Sequence, residues 1–173
     1  MRRSEDFYET VNARRTLRFF SSDSIPRNAI RNIIKAAGKL LTVLDFQLFQ
    51  LRKSSTYITF FQNAGTSPSG AHTEPWTFVA VFNKKLKEEI REIVEHEEEI
   101  NYKKRMGKKW TTDLKPLKTD WHKDYLSEAP CLLLVFKQDY GFLPNGKRKV
   151  HYYKEMSVAI ACGILITAIQ VKN

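Results

Sequence analysis

Residues 66 to 82 read TSPSGAHTEPWTFVAVF. Pro68 and Gly70, set among serine and threonine, punctuate a loop. The aromatic and β-branched residues of Trp76 to Phe82 that follow read as a strand. Immediately downstream, Lys84 to Glu99 is amphipathic, with Leu86, Ile90 and Ile93 or Val94 turned inward at helical spacing. Further on, Cys131 to Phe136 is a continuous apolar run, the pattern of a strand buried on both faces. A loop over 137 to 149 carries Asn145-Gly146, and Val150 onward reads as the last helix. This mixture of helix and strand indicates an α+β or α/β class, and periodicity alone goes no further.

Upstream of the loop, Ser4 to Asn12 reads as a helix capped by Ser4, with Glu5 and Asp6 complementing its positive end. Phe7, Tyr8 and Val11 share one face. Arg14 to Phe20 alternates poorly and is rich in cations. Ser21 to Pro26 forms a turn into a second helix, with Pro26 near its first position. Ile30, Ile33, Ile34 and Ala37 mark the buried face of that helix, and Gly38 is a natural stop. Residues 39–65 change character and read as an atypical insert. Their apolar residues follow no clean period, Asp45 is their single acid, and Tyr57 to Phe61 resembles a strand. Asn63-Ala64-Gly65 also echoes Ala36-Ala37-Gly38.

The chain has 173 residues, the length of one domain, with 42% apolar and 12% aromatic content sufficient for a packed core. Its net charge of +10 suits anionic partners, but the basic residues are scattered and no nucleic-acid motif accompanies them. Nucleic-acid binding is therefore not expected. Cys131 and Cys162 sit in apolar runs and read as buried free thiols of a reducing compartment. His72, His96, His122 and His151 lack ligand spacing, so no metal is expected. No signal peptide opens the sequence, and Met156 to Val171 falls short of about 20 residues, the length that spans a bilayer. That run reads as a buried core helix, and the chain as soluble and intracellular with no membrane segment.

The acidic run Glu95 to Glu99 meets the basic run Lys103-Lys104-Arg105, and the polar stretch to Asp120 contains Gly107 and Pro116. Residues 95–125 thus read as a lid segment. At Arg14-Arg15-Thr16-Leu17-Arg18 and over Thr66 to Trp76, the sequence resembles the flavin-dependent nitroreductase family. Glu97 to Gly107, Trp121 to Leu126 and Val150 to Tyr153 narrow the resemblance to its iodotyrosine deiodinase branch. The resemblance covers nearly the whole chain outside the insert. It implies an α+β nitroreductase-like fold, a three-layer arrangement of mixed sheet flanked by helices, as a single partial domain over residues 1–173.

The resemblance also implies site residues, and their chemistry is sensible. Arg14, Arg15, Thr16, Leu17 and Arg18, with Pro68, Ser69 and Gly70, match the segments that bind FMN. Guanidinium groups offer phosphate forked, charge-assisted donors, each bond worth about 1.5–3 kcal/mol. Read alone, these arginines merely solvate a helix end. Ala71 matches the position whose backbone N–H reaches a substrate phenolate oxygen. Glu98, Tyr102 and Lys123 match the lid residues that grip the amino-acid end: Glu98 accepts from the ammonium, Tyr102 and Lys123 donate to the carboxylate. No catalytic side chain is assigned.

The implied reaction is reductive deiodination of mono- and diiodotyrosine for iodide salvage. The implied partners are a second copy of the chain in a homodimer and a separate reductase relaying electrons from NADPH. A general nitroreductase of the same fold is the alternative reading, as is a non-catalytic fragment.

Two departures from the family pattern stand out. The family runs from the second helix directly into the Pro-Ser-Gly loop, which makes 39–65 additional; within it Lys39–Gln62 has borders compatible with splice-site codons, and a translated intron is expected there, with a lineage-specific insertion as the alternative. The sequence also stops at Val171-Lys172-Asn173, before a segment that contacts the flavin ring nitrogen and a later phosphate-binding arginine. Weak flavin binding by the chain as written is the corresponding expectation. The N-terminal membrane anchor common in the family is likewise not represented.

Overall fold

A computed structural model of the chain describes residues 2–37, 58–62 and 66–172. The organising element is strand β2, Trp76–Val81. It lies at the centre of a three-stranded antiparallel sheet, between β1 (Ile58–Gln62) and β3 (Leu132–Lys137). The register runs from Ile58 opposite Val81 to Gln62 opposite Thr77 on one side. On the other side Trp76 faces Lys137 and Val81 faces Leu132. The strand expected at Tyr57 to Phe61 is therefore present one residue later. The remainder of the expected insert lies outside the described residues, as does Gly38.

Because side chains alternate along a strand, β2 serves two cores. Trp76, Phe78 and Ala80 point to one side. There they pack with Ile30, Ile33, Ile34 and Ala37 of helix α2 (Arg27–Ala37) and with Ala161 and Leu165 of the final helix. Val79 and Val81 point to the other side, against Ala129, Leu132, Leu86 and Ile90. Leu86 and Ile90 belong to helix α3, Lys84–Ile100. Three layers result: helices, sheet, helices. Asn83 opens α3 by accepting the Leu86 N–H at 2.9 Å on its side-chain oxygen. The inward face of α3 differs from expectation at one end. Ile93 is 66% exposed, while Lys87 is buried.

Beyond α3 the chain makes a π-helical turn, Asn101–Arg105, then α4 (Lys108–Leu114), a 3₁₀ turn (Lys115–Leu117) and the short α5 (Tyr125–Glu128). The expected loop at 137 to 149 contains a small hairpin instead, β4 (Tyr140–Phe142) paired with β5 (Arg148–Val150). Gly146, with φ of 77°, makes the left-handed step of its turn. The last helix, α6, therefore starts at Lys154, not Val150, and runs to Lys172.

Several local expectations change. Helix α1 spans Arg2–Asn12, which puts Ser4 inside the first turn instead of at the cap. Pro26 stands one residue before α2, where its carbonyl accepts from Ala29 N at 2.9 Å. Strand β3 is not buried on both faces: Leu132 is buried, the next three residues are half-buried, and Phe136 and Lys137 are exposed. It is an edge strand among the described residues. Helix α6 is buried only along Ser157, Ala161 and Leu165, where it meets α2. Met156, Ile160, Ile166, Ile169 and Val171 are exposed. Among the described residues, α6 is the helix whose length and composition would let it cross a bilayer, with mean hydropathy 1.5 over Lys154–Val171. Cys131 and Cys162 are free and half-buried, and burial pushes the Cys131 thiol up to about 11.

Candidate functional site

Three elements deliver the lid residues to one place. Glu98 lies in the last turn of α3, Tyr102 in the π turn and Lys123 in the loop before α5. The Lys123 ammonium is 3.8 Å from the Glu98 carboxylate and 5.7 Å from the centre of the Tyr102 ring. It also donates to the Asp120 carbonyl. Its side chain is only 10% exposed, so it meets these groups largely out of water. Tyr102 packs edge-on against Trp110 and Trp121, with ring centres 4.8 and 5.9 Å away. Its hydroxyl donates to the Thr119 carbonyl at 3.4 Å. Asn101 steadies Glu98, its amide donating at 3.1 Å. A carboxylate, an ammonium and a phenol on an aromatic floor can bind a zwitterion.

The arginine segment approaches this group from below. Phe20 packs on Tyr125 at 6.1 Å, and Tyr125 is close to Arg18, Glu98 and Tyr102 electrostatically. Burial raises the Tyr125 phenol above its ordinary value; Arg18 opposes that rise, and Glu98 and Tyr102 add to it. Arg14, Arg15, Thr16 and Leu17 are exposed and Arg18 is half-buried. Arg15 donates to the Asn12 and Arg14 carbonyls at 2.7 and 2.9 Å. The guanidinium groups of Arg14 and Arg18 donate to no oxygen among the described residues.

The Pro68–Ala71 loop is built against a different neighbour. Thr66 donates to the Ala36 carbonyl, so the chain leaves α2 and enters the loop at adjacent points. The Ser69 hydroxyl accepts from Glu74 N at 3.0 Å, and Gly70 N donates to the Ser157 hydroxyl of α6 at 3.2 Å. Gly70 forms a bridge with Tyr152, and Ala71 and His72 follow with φ of 50° and 53°. Pro68 and Ala71 are exposed. No hydrogen bond or ion pair among the described residues joins this loop to the arginine segment or to the lid. Among the described residues, Ser67 Oγ, Glu74 Oε1, Trp76 Nε1 and both ring nitrogens of His151 are buried without a hydrogen-bond partner, and Glu74 Oε1 faces the His72 ring at 3.8 Å.

Three side chains escaped the sequence reading. Lys87, Arg91 and Glu95 lie with Glu98 on a single face of α3, at spacings that stack residues on a helix. Lys87 donates from the interior to the carbonyls of Ser127 and Ala129, at 3.1 and 2.5 Å. Arg91 donates to Glu95 at 2.7 Å, to the Ser127 hydroxyl at 3.2 Å and to Asp124. Glu95 accepts from the backbone N–H of Lys123 at 2.6 Å. The only local signal was the charge alternation, which reads equally well as a solvated face.

The chain matches the description "Nitroreductase family" over residues 11–172. It is 52% identical over 170 residues to the iodotyrosine deiodinase of Hydra vulgaris, covering 98% of this chain and 53% of that protein. Against iodotyrosine deiodinase 1 of Mus musculus the identity is 53% over 168 residues, covering 97% and 50%. The chain thus spans about half the length of the curated relatives it matches. In structure it resembles oxidised iodotyrosine deiodinase bound to FMN and 3-iodo-L-tyrosine. That match has a TM-score of 0.70 at 26% identity and covers 96% of this chain and 70% of that one. An FMN-bound nitroreductase from Bacteroides fragilis shares the fold, with a TM-score of 0.54 at 20% identity and coverage of 96% and 65%.

Proposed function

The chain belongs to the nitroreductase family, and from that membership we propose that it serves FMN-dependent reductive deiodination of iodotyrosines. The observation that carries the reading is the meeting of Glu98 and Tyr102, at the end of α3, with Lys123 from the loop before α5. The Glu98 carboxylate accepts from the substrate ammonium, while Lys123 and the Tyr102 hydroxyl donate to its carboxylate. Ala71, exposed at the head of its loop, offers its backbone N–H to the phenolate oxygen. Residues 95–125 act as the lid that excludes water around these contacts.

The donor set fits FMN. The guanidinium groups of Arg14 and Arg18 donate no hydrogen bond among the described residues, and with Arg15 and the Thr16 hydroxyl they would hold its phosphate; Leu17, Pro68, Ser69 and Gly70 would flank the rest. When bound, FMN supplies the two electrons of the reduction. The reading extends to a homodimer, for which the exposed apolar residues of α6 offer a surface. It also extends to a separate reductase that delivers electrons from NADPH.

Titration with FMN, then with 3-iodo-L-tyrosine, of a version of the protein that spans the full length of its relatives tests the assignment. Lys123→Ala is expected to weaken iodotyrosine binding by about 1–3 kcal/mol, the cost of removing one partner of a charged pair. FMN affinity should hardly change, because Lys123 is assigned nothing on the cofactor. Equal loss of both ligands would make Lys123 structural and end the assignment.

A further inference from the structure

We propose that Arg91 and Glu95 are positioning residues that fix Lys123 for its part in gripping the substrate, which rests on the reading of Lys123 just given. Lys123 follows an irregular stretch and precedes a helix of four residues, α5, so regular structure does little to hold it. The hold comes from α3. One oxygen of Glu95 takes both the Lys123 backbone N–H, at 2.6 Å, and the Arg91 guanidinium, at 2.7 Å. The other guanidinium nitrogens reach Asp124 and Ser127. A planar guanidinium presents its donors in a fixed fork, so these bonds set the angle of the 123–127 segment as well as its distance.

Both partners are mostly shielded, at 28% and 21% side-chain exposure, which keeps the bonds out of competition with water. Burial pushes the Glu95 carboxyl up, but the Lys123 N–H and Arg91 outweigh it and hold it below the usual carboxylate range. Glu98 stands on the same helix face, one turn beyond Glu95, and takes the Lys123 ammonium. Backbone and side chain of Lys123 are thus referenced to one rigid helix. A displacement of about 1 Å at such a group costs a large factor in binding and rate.

The test uses the whole chain, with amide hydrogen exchange at Lys123 read alongside titration of 3-iodo-L-tyrosine in the presence of FMN. In the unaltered chain the Lys123 amide should be protected. Glu95→Ala should abolish that protection and weaken iodotyrosine binding about tenfold. Glu95→Gln, which keeps the acceptor, should restore most of both. FMN affinity should stay within about twofold throughout. In a Lys123→Ala background, Glu95→Ala should cost iodotyrosine nothing further, because its effect runs through Lys123. Additive losses, or protection unchanged by Glu95→Ala, overturn the proposal.

If the unaltered chain takes up too little iodotyrosine to titrate, a version spanning the full length of its relatives decides the functional reading, which fails if that version binds none. The positioning role is then judged from amide protection and from acylation of Lys123 by an amine-reactive ester. Faster acylation in Arg91→Ala and Glu95→Ala, with Arg91→Lys partly reversing it, supports the role. Unchanged rates overturn it.

Discussion

At Gly70 the backbone of Tyr152 occupies the space where a side chain would begin. A Cβ placed there would lie 2.5 Å from the Tyr152 carbonyl oxygen and 2.9 Å from the Tyr153 ring. The ring could swing aside; the carbonyl belongs to a bridge and cannot move without opening it. Gly70→Ala should therefore destabilise the chain by about 1–3 kcal/mol, as overpacking does. A thermal melt would register that as a drop of several degrees, and an unchanged melting temperature would mean the bridge is not formed. In the sequence Gly70 read as loop punctuation and, by resemblance, as part of an FMN-binding segment; within this chain its close approach is to Tyr152. Tyr152 is 82 residues away in sequence, so that neighbour had no local signature. Glu98 and Tyr102 were legible because they are near each other along the chain. Lys123 was supplied by the family resemblance, since nothing local connects it to α3.

Helix α3 and the hairpin corner at His151 both carry titrating groups whose native values lie low, and they act in the same direction. Burial, with Lys149 and Lys154 nearby, lowers His151 below the ordinary histidine value of about 6.5. The unfolded chain then binds the proton more readily, and stability falls as pH drops through that window. Glu95, held below the ordinary glutamate value of about 4.3, loses its contribution further into acid, as do Glu99, Asp139 and Glu155. Acid titration of the melting temperature from neutral pH should show two declines. His151→Gln should remove the upper one and Glu95→Gln reduce the lower one; a single decline insensitive to both would refute the account. The elements with strong apolar periodicity, α2, β2 and α3, were legible in outline. The 140–150 hairpin was not, because three-residue strands in a polar stretch give no alternation to count. The over-reading of β3 and α6 as fully buried has one cause. An apolar run states that a surface avoids water, not whether this chain alone covers it.

At the scale of the whole molecule, three layers place the lid over one helical face and the Pro68–Ala71 loop at the junction of β2 with α6. Residues of the candidate site therefore come from opposite sides of the sheet. The exposed residues of α6, Met156, Ile160, Ile166, Ile169 and Val171, run along a helix that is otherwise seated on α2. If two copies share that surface, folding and pairing are one equilibrium, and the law of mass action enters the melting curve. A hundredfold increase in protein concentration should then raise the melting temperature by roughly 4 °C. Identical melts at both concentrations would dismiss the shared surface. Dilution itself becomes a denaturant under this scheme. How long the chain survives would depend on its abundance as much as on its own contacts, and a rarely synthesised copy would be the one most exposed to proteolysis.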